Sequence, residues 1–170
     1  MKKILIILSM LMLIIINDKE SNKILIPNDS IRIRVIANSN KLEDQLIKQR
    51  VRNNITNILE PELKNVKNIE EARKTINSNL EKIDNIVLKT LNNNNYKINY
   101  GDNYFPKKTY KGIEYKEGTY ESLVINIGES KGDNWWCVLF PPICMIEVEE
   151  EDKNNVEYKS KILEIINKYQ

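Results

Sequence analysis

The sequence predicts a single α+β domain. Apolar residues alternate with polar ones at Ile31, Ile33 and Val35, at Tyr96, Ile98 and Tyr100, and at Leu123, Ile125 and Ile127, the period of half-buried strands. Between the first two of these segments lie two long stretches in which apolar residues recur at helical spacing. There is no internal repeat, and 170 residues suit one domain of ordinary size. The resulting order, β-α-α-β-β-β-α, groups helices and strands rather than alternating them strictly, which is the α+β pattern.

The elements follow in turn. Met1-Lys2-Lys3 is a short positive segment, and Ile4 to Ile16 is apolar apart from Ser9. That run is shorter than the roughly 20 residues of a spanning helix and fits the apolar core of a secretory signal. No small-x-small cleavage site follows, so residues 1–20 read as a signal peptide or an uncleaved signal anchor, with membrane association through residues 4–16. Residues 21–29, polar and containing Pro27, read as a linker, and the domain proper spans 30–146. Its first strand carries Ile31, Ile33 and Val35 alternating with Arg32 and Arg34. Asn40 and Glu43 form a capping box for a helix bearing Leu42, Leu46, Ile47, Val51, Ile55, Ile58 and Leu59, which runs to Pro61. Asn68 and Glu71 cap a second helix, with Ile69, Ala72, Ile76, Leu80, Ile83, Val87 and Leu91 on one face, ending at Asn92 to Asn95. A Gly- and Lys-rich connection joins the strands around Tyr96 and Leu123. The turn Gly128 to Asn134 leads into a strand containing Trp135-Trp136-Cys137-Val138-Leu139-Phe140. Residues 147–170 read as an acidic linker, Glu147 to Asp152, and an amphipathic helix with Val156, Ile162, Leu163, Ile166 and Tyr169 on its apolar side.

Composition narrows the function. The net charge of +2 gives no argument for nucleic acid as a partner. There is no histidine, which removes Ser-His and Cys-His nucleophile pairs and any zinc site that needs imidazole. Two cysteines do not close a structural zinc site. No metal and no cofactor is expected.

In a chain built largely of Asn, Lys, Ile and Glu, both tryptophans and both cysteines fall within Gly128 to Cys144. Trp135 and Trp136, being adjacent on a strand, point to opposite faces. One suits the core and the other a partner. With Phe140, Pro141 and Pro142 they form a candidate partner-binding segment, large in aromatic area and fixed in backbone. Arg32 and Arg34 read as a solvated strand face, or as a second candidate contact with an acidic receptor surface. Cys137 and Cys144 are a candidate disulfide, a pair of buried thiols, or a source of a nucleophile. Pairing needs a chain reversal that brings their Cα atoms within about 7 Å, which Pro141-Pro142 suits, and contributes roughly 2–3 kcal/mol. Glu43 and Asp44 sit in a first helical turn, where the macrodipole favours them.

Several separated blocks resemble one family. They are Ile31-Arg-Ile-Arg-Val-Ile-Ala-Asn-Ser39, Glu43-Asp44-Gln45 with Lys48, Val51 and Arg52, Phe105-Pro106 with Lys108 and Tyr110, and Gly118 with Tyr120. The most specific is Gly128 with Gly132 through Asn134-Trp-Trp-Cys-Val-Leu-Phe-Pro-Pro-Ile-Cys144. On these the chain resembles the stage II sporulation protein R family of endospore-forming bacteria. It departs from the family at Tyr115-Lys116-Glu117-Gly118, where the family reads Tyr-Pro-Ala-Gly, and at Ser130, where the family has glycine. The resemblance implies a protein made in the forespore and exported to the space between the two sporulation membranes. It implies a signal that activates a membrane-embedded aspartic protease, which cleaves the precursor of sigma-E, by binding rather than catalysis. The competing reading is a cell-envelope enzyme using a cysteine or paired carboxylates such as Glu129 and Asp133.

Overall fold

The computed structural model describes residues 24–27, 29–110, 113–143 and 155–169. The signal-like segment, the acidic tract 147–152 and Cys144 lie outside them. In chain order the elements are β1 (Ile24–Leu25), β2 (Ile31–Ile36), α1 (Leu42–Leu63), α2 (Ile69–Leu91), β3 (Tyr96–Phe105), β4 (Lys108–Tyr110), β5 (Ile113–Tyr115), β6 (Gly118–Ile127), β7 (Asn134–Phe140) and α3 (Asn155–Tyr169). The fold is α+β, with three helices and a four-stranded sheet among the described residues in the expected order. The sheet runs β3-β6-β2-β7. β6 is antiparallel to β3 and parallel to β2, and β7 closes the other side antiparallel to β2.

Strand alternation sends Ile31, Ile33, Val35, Leu123, Ile125 and Ile127 to one face. There they meet Val51, Ile55 and Leu59 of α1 and Ala72, Ile76, Ile83 and Val87 of α2 in the main core. The second face is covered as well. Val138 and Trp136 pack there with Ile26, Tyr115, Ile143 and, from α3, Ile162 and Ile166. The result is a sheet buried on both sides, and this corrects the reading of Arg32 and Arg34 as a solvated face: Arg32 is fully buried and Arg34 half-buried.

Other differences have local causes. The 21–29 stretch read as a linker contributes β1, which pairs parallel with β5, and the buried Ile26. The connection between the strands around Tyr96 and Leu123 is itself mostly strand: β3 and β6 pair from Tyr96 with Ile127 to Phe105 with Gly118, and β4 and β5 form a hairpin at the far end. Among the described residues β3 is an edge strand, and its exposed positions carry Lys97, Asn99 and Asp102, so its polarity hid its pairing. Leu42 and Leu46 are exposed, at 75% and 47%. At ~100° per residue, Leu42 lies nine residues, or half a turn, from Val51 on the buried side of α1. Leu163 of α3 is likewise exposed. α1 runs past Pro61 to Leu63: Pro61 fits helical φ but has no N–H to donate to the carbonyl four residues back, and the helix ends two residues after it.

The two helix starts part company. At α2 the Asn68 half of the expected box forms, Asn68 Oδ1 accepting the Glu71 N–H at 2.9 Å, while the Glu71 carboxylate accepts the N–H of Lys67, one residue before the cap, at 2.9 Å. Asn92 then ends the helix in a left-handed conformation, φ 53°. At α1 the Asn40–Glu43 box does not form. The N-cap is Lys41, with no side-chain cap bond, because the Asn40 side chain is engaged elsewhere.

Candidate functional site

β7 carries the most distinctive residues, and alternation separates them. Trp135 lies on the helix side and packs against the main core, with the Arg52 guanidinium 5.6 Å from its ring centre. Trp136 lies on the other side, edge-on to Tyr115 at 4.9 Å and to Phe105 at 5.3 Å. Both indoles are half-buried, so neither is wholly core nor wholly surface. Phe140, Pro141 and Pro142, read from the sequence as part of a partner-binding segment, are buried. Phe140 stacks edge-on against Tyr169 at 5.0 Å, and its bond to Pro141 is cis. Phe140 and Pro141 instead form part of the wall of a cleft of about 290 Å³, with Lys67, Asn68 and Tyr169. Cys137 is disulfide-bonded and so is not a free thiol. Its candidate partner, Cys144, lies outside the described residues.

Between β7 and β6 the second face of the sheet holds a cation among rings. The Arg32 guanidinium carbon is 3.3 Å from the Tyr120 ring centre, 5.3 Å from that of Phe105 and 5.4 Å from that of Trp136. Arg34, two residues on, is 5.8 Å from the Phe105 ring, and Lys108 Nζ is 5.5 Å from Trp136. Burying a guanidinium costs several kcal/mol, and a desolvated cation–ring contact returns about 2 kcal/mol, so the box accounts for much of the burial. It does not satisfy the donors. Arg32 Nε and Nη1 and Arg34 Nε are buried without a hydrogen-bond partner. Burial lowers the affinity of both side chains for their protons, and in Arg32 the Tyr120 phenol opposes this in part. Phe105, Tyr115, Tyr120 and Lys108 are thus site residues that periodicity did not assemble. Their signal was weak but present, since the chain has two phenylalanines and one is Phe105.

A second group of singled-out residues forms a junction. The turn after β6 folds back over the start of α1. Asn38 Oδ1 accepts the Glu129 N–H at 2.9 Å, and Asn40 Oδ1 accepts the Asp133 N–H at 2.6 Å. Lys131 and Gly132 donate their N–H groups to the carbonyls of Asn38 and Ala37. From α1, Lys48 Nζ donates to Gln45 Oε1 and, at 3.0 Å, to the Asp133 carbonyl. Asp44 accepts from Ser39 Oγ at 2.5 Å and Asn38 Nδ2 at 3.0 Å. Gly132 is required by contact: a Cβ there would strike the Ser39 carbonyl. Gly128 is required by its φ of +56° and by the Asn38 side chain. Glu129 bonds the neighbouring Lys131 at 2.7 Å and is exposed. These residues hold the fold together at one end of the sheet, and nothing brings Glu129 and Asp133 into an acid–base pair.

Among the described residues there is no cluster that could hold a metal ion and no helix long and apolar enough to cross a membrane.

The interlocked blocks coincide with a family pattern. The family model for stage II sporulation protein R matches residues 27–150. The chain belongs to that family. Stage II sporulation protein R of Bacillus subtilis (strain 168) is 34% identical over 157 residues, covering 85% of this chain and 70% of the relative. No solved structure matches. Stage II sporulation protein R is a sporulation signalling protein. The matched range takes in the four-stranded sheet, both helices of the main core, the arginine box and the Gly128–Asp133 junction. β1 and α3 fall outside it, so part of the second core is built from segments beyond the family match.

Proposed function

We propose that this chain is an exported sporulation signal that activates, by binding, the membrane-embedded aspartic protease processing pro-sigma-E. The observation that carries the proposal is the family match over residues 27–150. The signal-like run Ile4 to Ile16 supports export from the forespore into the space between the two sporulation membranes, with that run serving as leader or anchor. The disulfide at Cys137 suits an oxidising space outside the cytosol, with Cys144 as its partner. It also removes Cys137 as a resting nucleophile, which argues against the envelope-enzyme reading. Trp135 and Trp136 on β7 are the proposed contact residues.

Reconstituting the full chain with the protease and pro-sigma-E in membrane vesicles tests the proposal. Cleavage should depend on the chain and should saturate as the chain is added. Equal cleavage with and without it would show that the chain is not the activator.

A further inference from the structure

Both tryptophans of the chain stand at one corner of the molecule, where β7 begins beside the first turns of α1. They are half-buried on opposite faces of the sheet, and each has a cation by its ring. The Arg52 guanidinium is 5.6 Å from the centre of Trp135, and Lys108 Nζ is 5.5 Å from that of Trp136. Arg52 is half-buried and Lys108 exposed. Buried Lys48 lies within electrostatic range of both. Burial lowers its affinity for its proton, the Asp133 carboxylate opposes this, and the charges of Arg52 and Lys108 lower it further.

α1 adds apolar surface to the same corner. Leu42 and Leu46 are 75% and 47% exposed. At ~100° per residue they lie one turn apart on one side of the helix, with Leu42 about 80° from Arg52. Hydrogen bonds fix this end of α1 in place: Gln45 Nε2 donates to the Ser39 carbonyl at 2.9 Å, and Lys48 Nζ to that of Asp133. Nearby carboxylates are engaged, Asp44 by Ser39 and Asn38, and Glu129 by Lys131.

Exposed leucines, half-buried indoles and flanking Lys and Arg make up a surface suited to the boundary of a bilayer. Arg52 and Lys108 stand on opposite faces of the sheet, a spread that suits a plane of many anions better than a single carboxylate. We infer that this corner docks on an anionic phospholipid surface, with Leu42 and Leu46 entering the interface and Arg52 and Lys108 against the phosphates. Trp135 and Trp136 then sit at the level of the headgroups, where an apolar ring with a polar N–H is best placed. The inference deepens the proposed function and rests on its claim that the chain works at a membrane.

The test needs neither protease nor precursor, so its failure and that of the proposed function are distinguishable. The full chain is mixed with vesicles of phosphatidylcholine alone, or with equal parts phosphatidylglycerol, their acyl chains brominated near the headgroup. Both tryptophans lie at the corner, so quenching of their emission reports its contact with lipid, whatever the run Ile4 to Ile16 does. Quenching should be strong with phosphatidylglycerol, slight with phosphatidylcholine alone, and weakened by salt. Arg52→Gln and Lys108→Gln should each lower the ratio of docked to free corner about fivefold, the effect of one cation at the surface. Leu42→Ser combined with Leu46→Ser should lower it about tenfold. Those two positions face solvent, so this variant decides should either charge variant fail to fold. Equal quenching with the two lipids, or substitutions without effect, overturns the inference. Loss of quenching on adding glycerol phosphate at the concentration of lipid phosphate would mark a pocket for free phosphate and overturn it too. Emission that ignores both lipids but shifts with a soluble glutamate-rich peptide would assign the corner to an acidic polypeptide instead.

Discussion

Ser130 adopts φ 55°, in the turn that carries β6 into β7. An L-residue there is crowded against its own carbonyl by about 1–2 kcal/mol, a cost glycine escapes while losing some chain entropy on folding. The rest of the turn is tied down by Gly128, Gly132 and the side chains of Asn38 and Asn40, so the backbone has no freedom to relax. Ser130→Gly, which restores the family's residue, should therefore raise stability by about 0.5–1 kcal/mol. Urea denaturation reads this directly. An unchanged or lower midpoint would mean that Ser130 does not hold the left-handed conformation in solution. Arg32 teaches the opposite lesson at the same scale: its charge is tolerated in the interior because three rings surround it, not because a counter-ion was found.

At the scale of elements, the connection from β2 to α1 depends on one carboxylate. Hydrogen bonds from Ser39 first, and then Asn38, hold Asp44 below the ordinary carboxylate value of 3.8. A group whose folded pKa is depressed contributes stability that is present above the unfolded value and is lost as pH falls through the folded one. Asp44→Asn should accordingly lower the urea midpoint at neutral pH, and the gap from the parent chain should close in acid below the usual carboxylate range. A gap independent of pH would mean the side chain acts through shape alone. The same junction explains why α1 starts at Leu42 without a capping side chain: Asn40 is committed to Asp133, ninety-three residues away.

For the whole molecule, the two buried faces of the sheet depend on different parts of the chain. The main core is supplied by β2, α1, α2 and β6, whereas the second core draws on Ile26 before β2 and on Ile162 and Ile166 of α3. A chain beginning at Ile24 should fold cooperatively. One beginning at Ser30 removes β1, which pairs with β5, and Ile26. It should retain the main core but lose about 1–3 kcal/mol and increase the exposure of Trp136, visible as a red shift in tryptophan emission. Identical stability and emission for the two chains would show that β1 and Ile26 contribute nothing to the second core.

What the sequence determined by itself was local. The alternation at Ile31 to Val35 and Leu123 to Ile127, the helical face of Ala72 to Val87 and the Asn68–Glu71 cap are each properties of a few neighbouring residues, and each is found as read. The opposite directions of Trp135 and Trp136 follow from strand geometry alone. The family was legible in the Trp-Trp-Cys segment because rare residues stand out in an Asn- and Lys-rich chain. Tertiary structure decided the rest. Alternation says which side chains share a face but not whether a second layer covers it, so Arg32 passed for a surface residue until Tyr120, Phe105 and Trp136 were seen to enclose it. The parallel pairing of β2 with β6 and the commitment of Asn40 to Asp133 are contacts between distant segments. They arise from how whole faces pack, and no window of neighbouring residues encodes them.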